Sequence, residues 1–188
     1  MTRAFAAIFP PAHVAEGLSD LVVKLRKLCS GVKWVSTDNM HLTLRFFGNL
    51  SDGEIETARL CMNELSKLET SFQVRMGTVG CFPSASRARV IWVGVDDGCE
   101  RLVRLATELD ERFAGAGLGR TDKPFSPHLT IGRVRAPRRN PQLEEAIRSL
   151  TLQGAEFMID ELTLTKSELT PKGPIYSPLS VARLGVAE

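Results

Sequence analysis

Two short segments of the chain share one pattern of a histidine, a leucine, a threonine and an aliphatic residue: His41-Leu42-Thr43-Leu44 and His128-Leu129-Thr130-Ile131. In an extended strand, residues i and i+2 face the same way, about 6.5–7 Å apart, so each segment presents an imidazole and a hydroxyl together. Leu42, Leu44, Leu129 and Ile131 face the opposite side, where they can anchor each strand to an apolar layer and keep the polar pair on a rigid element. A lone His-x-Thr says little, because a strand histidine is commonly just a satisfied polar residue. A second copy with matched aliphatic partners, 87 positions away, is a pattern with chemical content.

Two imidazoles with ordinary pKa values near 6.5 supply both a base and an acid around neutrality, so a pair flanking a phosphodiester can divide those roles. The two threonine hydroxyls can donate to the non-bridging phosphate oxygens, holding phosphorus between base and acid and offsetting charge in the transition state. Such chemistry needs no cofactor and no metal. With 3 histidines in the whole chain and no Asp or Glu at ligand spacing near the pair, a zinc hydrolase is a poor competitor. His13 has no threonine partner and reads as a surface or capping residue near a helix start.

The elements that must position these groups follow from periodicity. Residues 3–9 read as a strand, and Val14, Leu18, Leu21, Val22, Leu25 and Leu28 recur at helical spacing. Residues 40–47 alternate as a second strand, on which parity puts Arg45 beside His41 and Thr43. Ser51 with Glu54 is a capping-box signature for a helix to about residue 67, with Ile55, Ala58, Leu65 and Leu68 available to cover a sheet. Residues 72–82 and 88–95 form a predicted hairpin, and a helix through Leu102, Leu105, Leu109 and Phe113 ends in the glycines 115, 117 and 119. A strand from His128, a short helix after Asn140-Pro141 and strand-like runs at 155–168 and 175–184 complete the chain. Several strand connections are too short for a parallel crossover, so the fold class is α+β with antiparallel pairing.

Composition bounds the rest. The 188 residues are 43% hydrophobic and 24% charged, the balance of a soluble globular domain. A chain of this length buries roughly 70% of its unfolded surface and needs no staple. No linker-like stretch divides it, so residues 1–188 are predicted to form one catalytic domain. The formal charge of +2 excludes bulk attraction to nucleic acid or membrane as the main interaction, so an anion must be held by a local site. Cys29, Cys61, Cys81 and Cys99 lack the close spacing of zinc knuckles or redox dithiols and read as free thiols of a reducing compartment. The apolar stretch Phe5 to Phe9 ends at Pro10-Pro11, shorter than a secretory core or a membrane span. A cytoplasmic monomer without membrane contact is predicted.

With these residues in view, the chain resembles the two-histidine phosphoesterases, and within them the RNA 2′,3′-cyclic phosphodiesterases also called 2′-5′ RNA ligases. The resemblance runs through RAFAAIFPP, NMHLTLRFFGNL, ARVIWVGV, PFSPHLTIGRVR and LTLTKSELTPKGPIYSPLSVARL in the family's order. It implies a bilobal fold with two antiparallel sheets facing across a central cleft and helices on the outside. It further implies that His41 is the proton donor to the leaving sugar oxygen, that His128 is the proton acceptor that activates water, and that Thr43 and Thr130 bind phosphate. The implied reaction opens a terminal 2′,3′-cyclic phosphate of RNA, tRNA fragments among the substrates, to a 2′-phosphomonoester, with 2′-5′ ligation as related chemistry in reverse.

Arg133 and Phe46, each five residues after a histidine, match family positions that contact substrate, while Phe5 and Tyr176 match positions near the cleft. Simple alternation turns Arg133 and Phe46 away from the histidine face, so a bulge or strand end must re-aim them. The run Arg133, Arg135, Arg138 and Arg139 could steer an RNA backbone toward the cleft. Two other readings compete: a phosphodiesterase for small cyclic nucleotides or 2′,5′-oligoadenylate, and a protein that binds an RNA end without turnover. Two titrating groups matched on opposite sides argue against the second.

Overall fold

The alternating and helical stretches become nine strands and four helices in the computed structural model, which describes residues 1–136, 139–171 and 173–186. In chain order these are β1 (Thr2–Ile8), α1 (Ala12–Leu28), β2 (Val32–Trp34), β3 (Leu42–Leu50), α2 (Asp52–Leu68), β4 (Phe72–Phe82), β5 (Val90–Asp97), α3 (Cys99–Gly115) and β6 (His128–Val134), then α4 (Pro141–Ser149), β7 (Glu156–Ile159), β8 (Glu161–Thr170) and β9 (Gly173–Arg183).

All named strand pairs are antiparallel, in the order β7-β4-β5-β6-β3-β1-β8-β9, with β2 on β6. The two sheets of the bilobal reading are thus edge-linked halves of one path. Among the described residues, β3 and β6 join them through one residue pair, Leu42 with Leu129. The run at 155–168 is two strands: β7 pairs with β4 in one half and β8 with β1 and β9 in the other, so the chain changes halves at Asp160. The carbonyl of Asp160 accepts from the Leu184 N–H at 2.8 Å, fixing that crossing.

Each half carries two helices. α1 packs on α4, which lies against β4, while α2 packs on α3 and against β8 and β9. Helix α1 buries Val14, Leu18, Leu21, Val22 and Leu25, one stripe at 3–4-residue spacing. At the start of α2, Ser51 Oγ accepts from the Glu54 N–H at 3.3 Å and the Ser51 N–H donates to Glu54 Oε2 at 2.7 Å, the predicted capping box. Ala58 and Leu65 of α2 are buried with Cys61 and Met62, but Leu68 is exposed at the helix end. Asn140 caps α4 by accepting from the Leu143 N–H at 3.1 Å. His13, in the first turn of α1, donates from Nε2 to the Glu156 carbonyl at 3.0 Å and ties α1 to β7. The four cysteines are free thiols. No helix among the described residues is long and apolar enough to cross a membrane.

Gly80 on β4 shows how close this packing is. A Cβ there would meet Trp92 Cη2 at 2.2 Å, because the indole lies flat across the glycine. Gly80→Ala is expected to displace that ring and cost about 1–3 kcal/mol, read as a fall in Tm with a changed near-ultraviolet tryptophan signal. An unchanged Tm would mean that the indole moves without loss of packing.

Candidate active site

The Leu42–Leu129 pair sits at the middle of the two histidine motifs. Extending its antiparallel register by one residue each way sets His41 across from Thr130 and Thr43 across from His128. Directly opposed side chains lie about 4.5–5.5 Å apart and diagonal ones about 7–8 Å. The four polar groups therefore form a square with the histidines on one diagonal and the threonines on the other. Leu42 and Leu129 point the other way and are buried.

Each ring is held by the same device. His41 Nδ1 lies 2.8 Å from the Asn39 carbonyl and His128 Nδ1 lies 2.7 Å from the Ser126 carbonyl. A carbonyl only accepts, so both Nδ1 atoms carry the proton and both neutral rings keep the Nε2 lone pair available. Asn39 is itself anchored, its Nδ2 donating to the Pro174 carbonyl on β9 at 3.0 Å.

Two β-bulges decide what else reaches the cleft. On β3, Ala6 pairs with Arg45 and Ala7 with Thr43, leaving Leu44 as the extra residue. On β6, Ile91 pairs with Gly132 and Trp92 with Thr130, leaving Ile131 extra. Each bulge reverses the alternation beyond it, so Phe46 and Arg133 turn onto the histidine face. The same reversal takes Arg45 away from the cleft, against its parity. It is buried, paired with Asp110 and donating from Nη2 to the Leu118 carbonyl at 3.2 Å.

Aromatic rings wall each histidine. Phe5 stacks on His41 with ring centres 4.7 Å apart, and Tyr176 meets its edge at 5.2 Å. Phe82 meets His128 edge-on at 5.1 Å, with Trp92 at 6.3 Å. Burial pushes the His41 pKa down from the ordinary imidazole value; the bond to the Asn39 carbonyl opposes this, and the Arg133 charge adds to it. Burial also raises the Tyr176 phenol, against the pull of Arg133 and Arg3. The phenol is therefore neutral throughout the physiological range.

The cavity so formed holds about 560 Å³, and His41, Thr43, His128 and Thr130 all line it. The model of the 2′-5′ RNA ligase superfamily matches residues 10–171. This chain belongs to that superfamily.

Two relatives match over nearly their whole length. The chain is 34% identical to the RNA 2′,3′-cyclic phosphodiesterase of Methanothermobacter thermautotrophicus over 97% of this chain and 98% of the relative. It is 36% identical to the enzyme of the same name from Archaeoglobus fulgidus over 95% and 98%. Among solved structures, TT0787 of Thermus thermophilus matches with a TM-score of 0.83 at 32% identity, over 99% of this chain and all (100%) of that one. Escherichia coli LigT in its apo form gives 0.75 at 25% identity, over 98% of each chain.

All seven predicted site residues, His41, His128, Thr43, Thr130, Arg133, Phe46 and Tyr176, line this one cleft, as does Phe5. The arginine run divides. Arg135 is exposed, Arg139 lies 3.6 Å from Glu144, and Arg138 falls outside the described residues. Sequence reasoning passed over Arg3, Lys33, Trp34 and Ser36, which also line the cleft, and over Phe82 and Trp92 against His128. The usable signal for Trp34 was the apolar-polar alternation of Val32-Lys33-Trp34, three residues that pair with β6. Among the described residues, no three His, Cys, Asp or Glu side chains converge on a point.

Proposed function

We propose that this cleft opens a 2′,3′-cyclic phosphate at the end of an RNA, tRNA fragments included, to a 2′-phosphomonoester by metal-independent acid-base catalysis in a single-domain monomer. The observation that carries the reading is the square of two Nε2 atoms and two hydroxyls on strands paired at Leu42–Leu129. The relatives' name, RNA 2′,3′-cyclic phosphodiesterase, supports the same substrate.

In-line displacement at phosphorus needs a base and an acid on opposite sides, which the histidine diagonal supplies. His128 Nε2 takes a proton from the attacking water while His41 Nε2–H protonates O3′ as the P–O3′ bond breaks. Thr43 and Thr130 donate to the non-bridging oxygens, and Arg133 adds a positive charge where negative charge grows. A 5′-hydroxyl in place of water, with the same proton transfers, makes a 2′-5′ linkage. Incubating an RNA that ends in a 2′,3′-cyclic phosphate with the protein in EDTA tests the reading. A 2′-phosphate product is expected; a 3′-phosphate, or no reaction until a divalent metal is restored, would overturn it.

The acid role sets a condition on His41. Burial and Arg133 disfavour its protonated form in the empty cleft, whereas an arriving phosphodiester anion favours it. Proton uptake by His41 and substrate binding therefore promote each other. Arg133→Gln removes a like charge, so the His41 pKa is expected to move up, read by NMR titration of its ring. An unmoved value would mean that Arg133 does not act on this ring. KM on the RNA substrate is expected to rise at the same time, because a phosphate-facing charge is lost.

A further inference from the structure

Phe46 is shared by two cavities. On one side it lines the catalytic cleft; on the other it lines a second cavity of about 330 Å³ with Arg45, Arg120, Thr121, Asp122 and Lys123. Its ring is 48% exposed, and the Arg3 guanidinium lies 4.5 Å over it. The loop that supplies the cations is held in place. Asp110 Oδ1 accepts from the Thr121 N–H at 3.3 Å and Oδ2 from Thr121 Oγ1 at 3.3 Å. Asp110 also neutralises Arg45, so that guanidinium has little charge to offer a ligand. Among the described residues, Arg120 and Lys123 form no ion pair, and both are exposed.

An exposed aromatic between two cavities, with free cations beyond it, has the make-up of a single-strand track: a ring on which a base stacks and charges that follow the backbone. We propose that the second cavity is a subsite for the nucleotide preceding the cyclic-phosphate nucleotide, with Arg120 and Lys123 holding the backbone phosphate that leads out of the cleft over Phe46. The assignment rests on the reading of the cleft as an RNA-end phosphodiesterase and gives that cleft a direction. The 3′ end enters between the histidines, and the upstream strand leaves past Phe46 toward the 120–123 loop, away from Arg135. Asp122, on the same cavity, repels phosphate and narrows the favourable positions to those near Arg120 and Lys123.

The test compares a nucleoside 2′,3′-cyclic phosphate with a dinucleotide ending in the same cyclic phosphate, using wild type, the double variant Arg120→Gln with Lys123→Gln, and Arg135→Gln. The double variant is expected to raise KM for the dinucleotide roughly five- to tenfold, leaving kcat and all constants for the mononucleotide unchanged. The dependence of log KM on log salt should fall by about 0.7–1.4, one or two charge contacts on a single strand. Equal effects on both substrates, no effect on either, or a dinucleotide effect confined to Arg135→Gln would overturn the subsite. If the wild type turned over neither substrate, the phosphodiesterase reading would fail instead. Fluorescence anisotropy of a labelled dinucleotide on wild type and double variant would then decide the subsite, equal affinities overturning it.

Discussion

Alanine at either His41 or His128 is expected to lower kcat on an RNA 2′,3′-cyclic phosphate by about 10²–10⁴-fold, with KM changed far less. In the proposed mechanism Thr43, Thr130 and Arg133 still hold the phosphate, so what disappears is a proton transfer. The double variant should be little worse than the poorer single one, because acid and base act on one displacement and their losses do not add. The two roles separate with an aryl phosphodiester, whose leaving group departs without a proton. That substrate should restore most of the His41→Ala loss and none of the His128→Ala loss. The opposite pattern would exchange the assignments, and wild-type rates in both variants would remove the two-histidine mechanism altogether.

Asp110→Ala is expected to be the most destabilising single change away from the cleft, costing about 3–5 kcal/mol. Arg45 is 6% exposed and Asp110 18%, so losing the carboxylate strands a guanidinium in the protein interior. It also frees Thr121 and with it the loop beside Phe46. At this chain length each kcal/mol moves Tm by about 2–4 °C, so a fall on the order of 10 °C is expected in thermal denaturation. Replacing both partners, Arg45→Met with Asp110→Leu, should recover much of the loss, since an apolar pair of similar volume leaves no charge unpaired. A loss below about 1 kcal/mol for Asp110→Ala would place the pair effectively in water.

The two histidine-threonine pairs were readable because alternation on a strand is local: His41 with Thr43 and His128 with Thr130 share faces whatever the rest of the chain does. The positions five residues further on were not. Leu44 and Ile131 are ordinary strand residues, and nothing in their identity announces the bulges that turn Phe46 and Arg133 inward and Arg45 outward. Bulges arise from how neighbouring strands register, which depends on residues far away in the chain. The same limit hid β2, whose alternation over Val32-Lys33-Trp34 is too brief to mark a strand by itself, and the break at Asp160, where the chain changes partners without a turn signal. Phe82 and Trp92 reach His128 only through the β4-β5-β6 pairing, so their roles became visible with the topology.

Joining the halves of the sheet through the Leu42–Leu129 pair also has a mechanical consequence. If the halves rock against each other, that pair is the natural pivot, and a displacement grows with distance from it. The histidines and threonines lie one residue away, about 3.3 Å along a strand, where a given rotation moves them least. The rims formed by Phe46 and the β8–β9 hairpin lie far out on the lever and move most. The mouth can therefore widen to admit an RNA end while the spacing among the two imidazoles and the two hydroxyls stays nearly constant.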